Sequence, residues 1–162
     1  MTDEQKSPAA DMEDLSEELD RKEEYREWLA FAQTDYDCAK YLNEAPLYPK
    51  PLNIICYHCQ QAAEKAVKGL IVYFGSQGGM PKVHDISFLL NQINHIVQEE
   101  KGIEVSHSLL LTANALSKYG IAPRYPNEID VDEVQTGKAL KDADTILTWV
   151  KDAIAKVPEE ET

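Results

Sequence analysis

Apolar side chains recur at a helical period along most of this chain, and nowhere do they alternate with polar ones for long enough to mark a strand. The longest such stretch is 54–74, IICYHCQQAAEKAVKGLIVYF, twenty-one residues with no proline and a single glycine, Gly69. Wound at about 100° per residue, it gathers Tyr57, His58, Gln61, Glu64, Lys65 and Lys68 onto roughly a third of the circle. Ile55, Cys56, Cys59, Ala62, Ala63, Ala66, Val67, Leu70, Ile71, Tyr73 and Phe74 occupy most of the remainder. So wide an apolar arc needs more than one neighbour to cover it, which predicts a central helix inside a bundle.

Four more helices surround it in the pattern. From about Arg21 to Asn43 an apolar stripe of Trp28, Phe31, Ala32, Ala39 and Leu42 is expected to face the core, with Cys38 at its edge. Asp35 projects onto the middle of that stripe, where a carboxylate needs a cation or donors from another helix unless it lies at a bundle end and meets water. From about His84 to Glu99, Ile86, Leu89, Leu90, Ile93, Ile96 and Val97 keep the period, with Asp85 or Ser87 near the N-terminus. Ser106 reads as the N-cap of a helix carrying Leu109, Leu110, Ala113 and Leu116. The last helix spans about Asp130 to Lys156, its stripe made by Ala139, Ala143, Ile146, Val150, Ala153 and Val157, with Leu147 and Trp149 flanking. The breaks between helices are NEAPLYPKPLN, GSQGGMP, the polar link around Gly102, and YGIAPRYPN. The expected fold is all-α, an antiparallel up-and-down bundle of about five helices over 21–157, with acidic tails at 1–20 and 158–162 and the first of these disordered or loosely helical.

Charge sharpens this division. The chain carries a net −13, but residues 1–27 hold eleven acidic against four basic residues and Glu159, Glu160 and Glu161 add three more, so 28–157 is close to balance at −3. A balanced body is able to set a local basic stripe against phosphate, although no electrostatic footprint of a nucleic-acid binder stands out. No run of about eighteen apolar residues exists to cross a membrane. The acidic, polar start does not read as a secretory signal, and three cysteines do not read as a disulfide framework, so the sequence points to the cytoplasm.

Most candidate chemistry dissolves on inspection. Cys56 and Cys59 form C-x-x-C, but both project onto the apolar arc and no second pair exists to complete a metal site, so they read as small buried hydrophobes. GSQGGMPK lacks the G-K-[ST] of a phosphate loop and a preceding strand, and reads as a turn. His58, His84, His95 and His107 never fall at ligand spacing, so neither a metal nor another cofactor is expected. Two features remain. The stripe of His58, Gln61, Lys65 and Lys68 offers imidazole, amide and ammonium groups on successive turns, suited to phosphate and base edges, and equally readable as a solvated helix face. In 119–126, Arg124 lies between two prolines beside Tyr125, a rigid setting for an anion contact and a stacked ring, or simply a helix-ending loop.

Taken together, these segments resemble the HEPN domain family, named for nucleotide binding in prokaryotes and higher eukaryotes. Trp28, Ala32, Asp35 and Ala39 look like its opening helix. Tyr57, His58, Gln61, Ala62, Glu64, Lys65, Ala66 and Lys68 look like its central helix. Lys82, Val83, His84, Asp85, Leu89 and Leu90 resemble its third-helix entry, and Tyr119, Arg124, Tyr125 and Pro126 the tyrosine and R-Y-P segment before its last helix. The resemblance implies a homodimeric bundle that handles nucleotides or RNA and works beside a minimal nucleotidyltransferase in a toxin–antitoxin-like pair. Its expected ligand-binding residues are Asp35, Tyr57, His58, Gln61, Lys65, Lys68, His84, Tyr119, Arg124 and Tyr125. Many HEPN proteins are metal-independent ribonucleases with an R-x4-6-H motif. Here Arg124 is followed by YPNEIDV, without the histidine, and neither Arg21 nor Arg26 supplies one. The leading expectation is therefore a binding module without that motif. The alternatives are a ribonuclease with a rearranged site using Arg124 and His58 or His84, and a protein–protein interaction module.

Overall fold

The computed structural model describes residues 7–75, 80–97, 102–120 and 130–157. These form five helices and no strand: α1 (Pro8–Glu44), α2 (Leu52–Phe74), α3 (Ile86–Val97), α4 (His107–Ser117) and α5 (Glu133–Ala155). Local chemistry marks most ends. Ser7 caps α1, with proline in its first turn, and Ser106 accepts from Leu109 N at 3.1 Å to open α4. Asp85 accepts from the Ser87 and Phe88 amides ahead of α3, and a capping box joins Asp132 and Gln135 at α5. α2 stops at Gly75, whose φ of 71° is the left-handed conformation that glycine adopts without a Cβ clash.

α2 is the axis of the bundle, packing against α1, α3, α4 and α5. Ile55, Cys56, Cys59, Ala62, Ala63, Ala66, Val67 and Leu70 are all fully buried on it. Its neighbours contribute Ala32 and Ala39 from α1, Leu89, Leu90 and Ile93 from α3, Leu116 from α4, and Ile146 and Val150 from α5. The antiparallel bundle expected from the pattern is what forms. The α1–α2 hairpin sets Trp28 against Gly69 and Asp35 against Lys65, and in α3–α4 the amide of Ile86 meets the Ser117 hydroxyl. No helix among the described residues is long and apolar enough to cross a membrane.

α1 departs from expectation in two ways. It begins at Pro8, well ahead of Arg21, because no residue between Ser7 and Glu44 interrupts a helix that the packed half has already nucleated. Met12, Leu15 and Leu19 on this extension stay exposed. Its buried stripe is also rotated: Tyr25, Leu29, Ala32, Tyr36 and Ala39 meet the core, while Phe31 is 64% exposed. The small Ala32 and Ala39 let the two backbones approach, Trp28 lies so close over Gly69 that a Cβ there would clash with it, and Phe31 faces solvent. This rotation moves Asp35 from the middle of the apolar stripe to its edge, over the polar side of α2.

Candidate functional site

Two carboxylates organise the polar side of α2. Asp35, its side chain only 14% exposed, reaches across from α1 to His58 Nδ1 at 2.9 Å through Oδ1 and to Lys65 Nζ at 2.5 Å through Oδ2. His58 and Lys65 lie two turns apart on one helix face, so a single carboxylate spans both. Glu64, with its side chain 5% exposed, takes His84 Nδ1 at 2.7 Å and has Lys68 Nζ at 3.8 Å. Of the two alternatives for Asp35, pairing is the one realised.

An ionised carboxylate only accepts, so both imidazoles donate from Nδ1, which leaves Nε2 as the acceptor nitrogen of a neutral ring. His84 is the more open of the two, its side chain 73% exposed above the buried Glu64. It is held by its backbone as well. Gln60, fully buried, donates from Nε2 to the His84 carbonyl at 3.2 Å and accepts on Oε1 from Gln61 Nε2 at 2.7 Å. The same amide packs against Gly120, just past the end of α4, where an added Cβ would lie 3.2 Å from Gln60 Nε2. Gln60 escaped the sequence pattern because it projects onto the apolar arc. A polar amide on that arc was the available signal.

The other expected site residues divide. Tyr57 is half-buried, its ring edge-on to His58 at 5.8 Å. Tyr119 is 5% exposed, and burial above all, with Cys56 and the Asp142 and Asp132 carboxylates adding to it, pushes its phenol up to about 12. It is a neutral core residue. Arg124 and Tyr125 lie outside the described residues. Lys65 is offset by Asp35, and Lys68, 9% exposed, faces Glu64, so with neutral imidazoles these four charges cancel. Each protonated histidine adds one positive charge to the face. Cys56 and Cys59 behave as small hydrophobes: both are fully buried, and burial pushes the Cys59 thiol up to about 12. Among the described residues no group of three or more histidines, cysteines or carboxylates is arranged to hold a metal.

The sequence pattern of the HEPN domain matches residues 25–153, from the buried Tyr25 of α1 to the last turns of α5. The chain belongs to the HEPN domain family. The match covers every helix that builds the two carboxylate clusters and leaves the exposed start of α1 outside it. "Putative toxin MJ1304" of Methanocaldococcus jannaschii is 28% identical over 131 residues, spanning 75% of this chain and 82% of the relative. Two solved structures share the fold. TT1696 from Thermus thermophilus superposes with a TM-score of 0.62 at 27% identity, and ST0689, an archaeal HEPN homologue, with 0.57 at 28%. Each comparison covers 80% of this chain and 97% of the other.

Proposed function

We propose that this HEPN protein is a nucleotide- or RNA-binding module that acts as a homodimer with a minimal nucleotidyltransferase in a toxin–antitoxin-like pair, without the R-x4-6-H ribonuclease motif. The observation that carries the reading is the pair of carboxylate-anchored clusters on one face of α2, Asp35–His58–Lys65 and Glu64–His84–Lys68. With Nδ1 donated to a carboxylate, the Nε2 of each neutral imidazole is left to accept from the N–H of a base edge. The toxin-like relative supports the pairing with a second protein. Because the lysine charges are offset in place, phosphate affinity is expected to be modest and salt-dependent.

The direct test titrates ATP, other nucleotides and short RNA at two salt concentrations, with and without an added minimal nucleotidyltransferase. Binding that weakens with salt supports the module. No binding under any of these conditions removes it.

A second reading rests on one specific feature, the open His84 imidazole backed by the buried Glu64 carboxylate. This is the arrangement of an oriented general base. A ribonuclease using it would take the 2′-hydroxyl proton on Nε2 while the 2′-oxygen attacks phosphorus and the 5′-oxygen departs with a proton from water, leaving 2′,3′-cyclic phosphate and 5′-hydroxyl ends. RNA that stays intact over hours with folded protein excludes this activity.

A further inference from the structure

Directly beside the Asp35 cluster lies a pocket of about 430 Å³, lined by Glu24, Glu27, Trp28, Phe31 and Lys65. We propose that it is a nucleobase subsite: the base stacks on the aromatic surface of Trp28 and Phe31, its hydrogen-bond donors reach Glu24 or Glu27, and its phosphate points toward Lys65 and His58. The inference rests on the nucleotide-binding reading and specifies where the base sits and which base is preferred.

Three observations converge on it. Phe31 is 64% exposed, and the Cβ of Trp28 is set close against Gly69 of α2, so both side chains border the pocket from a packed helix. Aromatic rings carried on a helix already in place offer a planar ligand a stacking surface, and every base has a π-face to offer. Lys65 connects this surface to the polar face: its ammonium bonds Asp35 and lies 5.9 Å from the centre of the Phe31 ring. The same side chain therefore borders both the aromatic surface and the histidine cluster. The far end carries Glu24 and Glu27, both exposed, with neither engaged by a cation among the described residues.

The polarity of the pocket orders the ligand. Carboxylates only accept hydrogen bonds, and Glu24 and Glu27 have no cation beside them among the described residues while Asp35 is already paired with Lys65, so a donor-bearing base edge belongs at the glutamate end and the phosphate at the Lys65 end. Eight residues of helix separate Glu27 from Asp35, about 12 Å along the axis, the scale of an extended nucleoside monophosphate. Guanine alone presents two adjacent donors, N1–H and the N2 amino group, to a single carboxylate. Adenine and cytosine offer one amino group each, and uracil one ring N–H. The expected order is GMP first, AMP and CMP next, UMP last.

The full-length protein is titrated with GMP, AMP, CMP, UMP and inorganic phosphate, reading calorimetry and tryptophan fluorescence in parallel. The expected result is quenching by nucleotides but not by phosphate, with GMP tightest. Phe31→Ala, at an exposed position that does not threaten folding, should weaken nucleotide binding about tenfold, and Phe31→Trp should retain it. Glu24→Gln combined with Glu27→Gln should erase the preference for GMP. Nucleotide binding that is blind to the base and unaffected by Phe31→Ala overturns the subsite and leaves the anion-binding reading intact. No binding of any nucleotide overturns both. Fluorescence that changes with protein concentration alone, and is then insensitive to nucleotide, assigns this surface to a second copy of the chain and also overturns the subsite.

Discussion

Gly69 and Gly137 allow the same substitution to be made with opposite expected signs. Both are glycines inside helices, and replacing either by alanine gains about 0.8–1.0 kcal/mol of intrinsic helix stability. At Gly137 on α5 an added Cβ meets nothing within 4 Å, so Gly137→Ala should stabilise the protein by up to that amount. At Gly69 the new Cβ would lie 2.8 Å from Trp28 Cβ and 3.4 Å from the Tyr25 ring. The clashing atom is attached to the α1 backbone and is no flexible side-chain tip, so α1 itself has to move. Overpacking of this kind costs about 1–3 kcal/mol, which outweighs the propensity gain at all but its lower end. Gly69→Ala is therefore expected to destabilise by up to roughly 2 kcal/mol net, lowering Tm by as much as a few degrees for a chain of this size. Urea unfolding followed by circular dichroism, with the two variants side by side at unchanged m-value, makes the measurement. If Gly69→Ala stabilises as much as Gly137→Ala, the close approach of α1 to α2 is wrong. The position of Asp35 over His58 and Lys65, and the Trp28 side of the pocket, would fall with it.

Asp35→Ala strands the Lys65 ammonium and the His58 Nδ1–H beside each other. Because both partners are partly solvated, the loss should be about 1–2 kcal/mol, with part of it recovered in the Asp35→Ala, Lys65→Met double variant by chemical denaturation. A thiol reagent should titrate one cysteine in the native protein, the exposed Cys38, and three only after unfolding, since Cys56 and Cys59 are fully buried and both thiols are held in their protonated form. In alkali, Tyr25, Tyr119 and Cys59 each keep their proton in the fold up to about 12, chiefly because burial disfavours the anion. The unfolded chain gives up these protons from about pH 9 to 10, so it binds fewer protons than the native state. Stability should therefore be fully present below that range and decline as pH rises toward 12. A pH series of urea midpoints checks it, and midpoints that stay flat from pH 9 to 12 refute it.

What the sequence determined by itself was whatever depends on neighbours along one helix. Periodicity placed five helices, the Ser106 cap follows from a hydroxyl three residues before an amide, and Gly75 follows from the need for a left-handed turn. The cysteine pair could be set aside by projecting it onto the apolar arc of α2. The start of α1 was less legible, because its extension is helical without burying Met12, Leu15 or Leu19, so no apolar stripe announced it. Rotation about a helix axis and distances between helices belong to the tertiary structure alone. Phe31 and Asp35 projected onto one predicted stripe, yet in the fold the ring faces solvent and the carboxylate lies over His58 and Lys65. Gln60 looked like part of an apolar face until the fold delivered the His84 carbonyl to it, from a segment on the far side of the α2–α3 connection. The physical reason is the same in each case: a helical pattern records which side chains share a face, while the partner that neutralises a charge or satisfies an amide comes from another part of the chain.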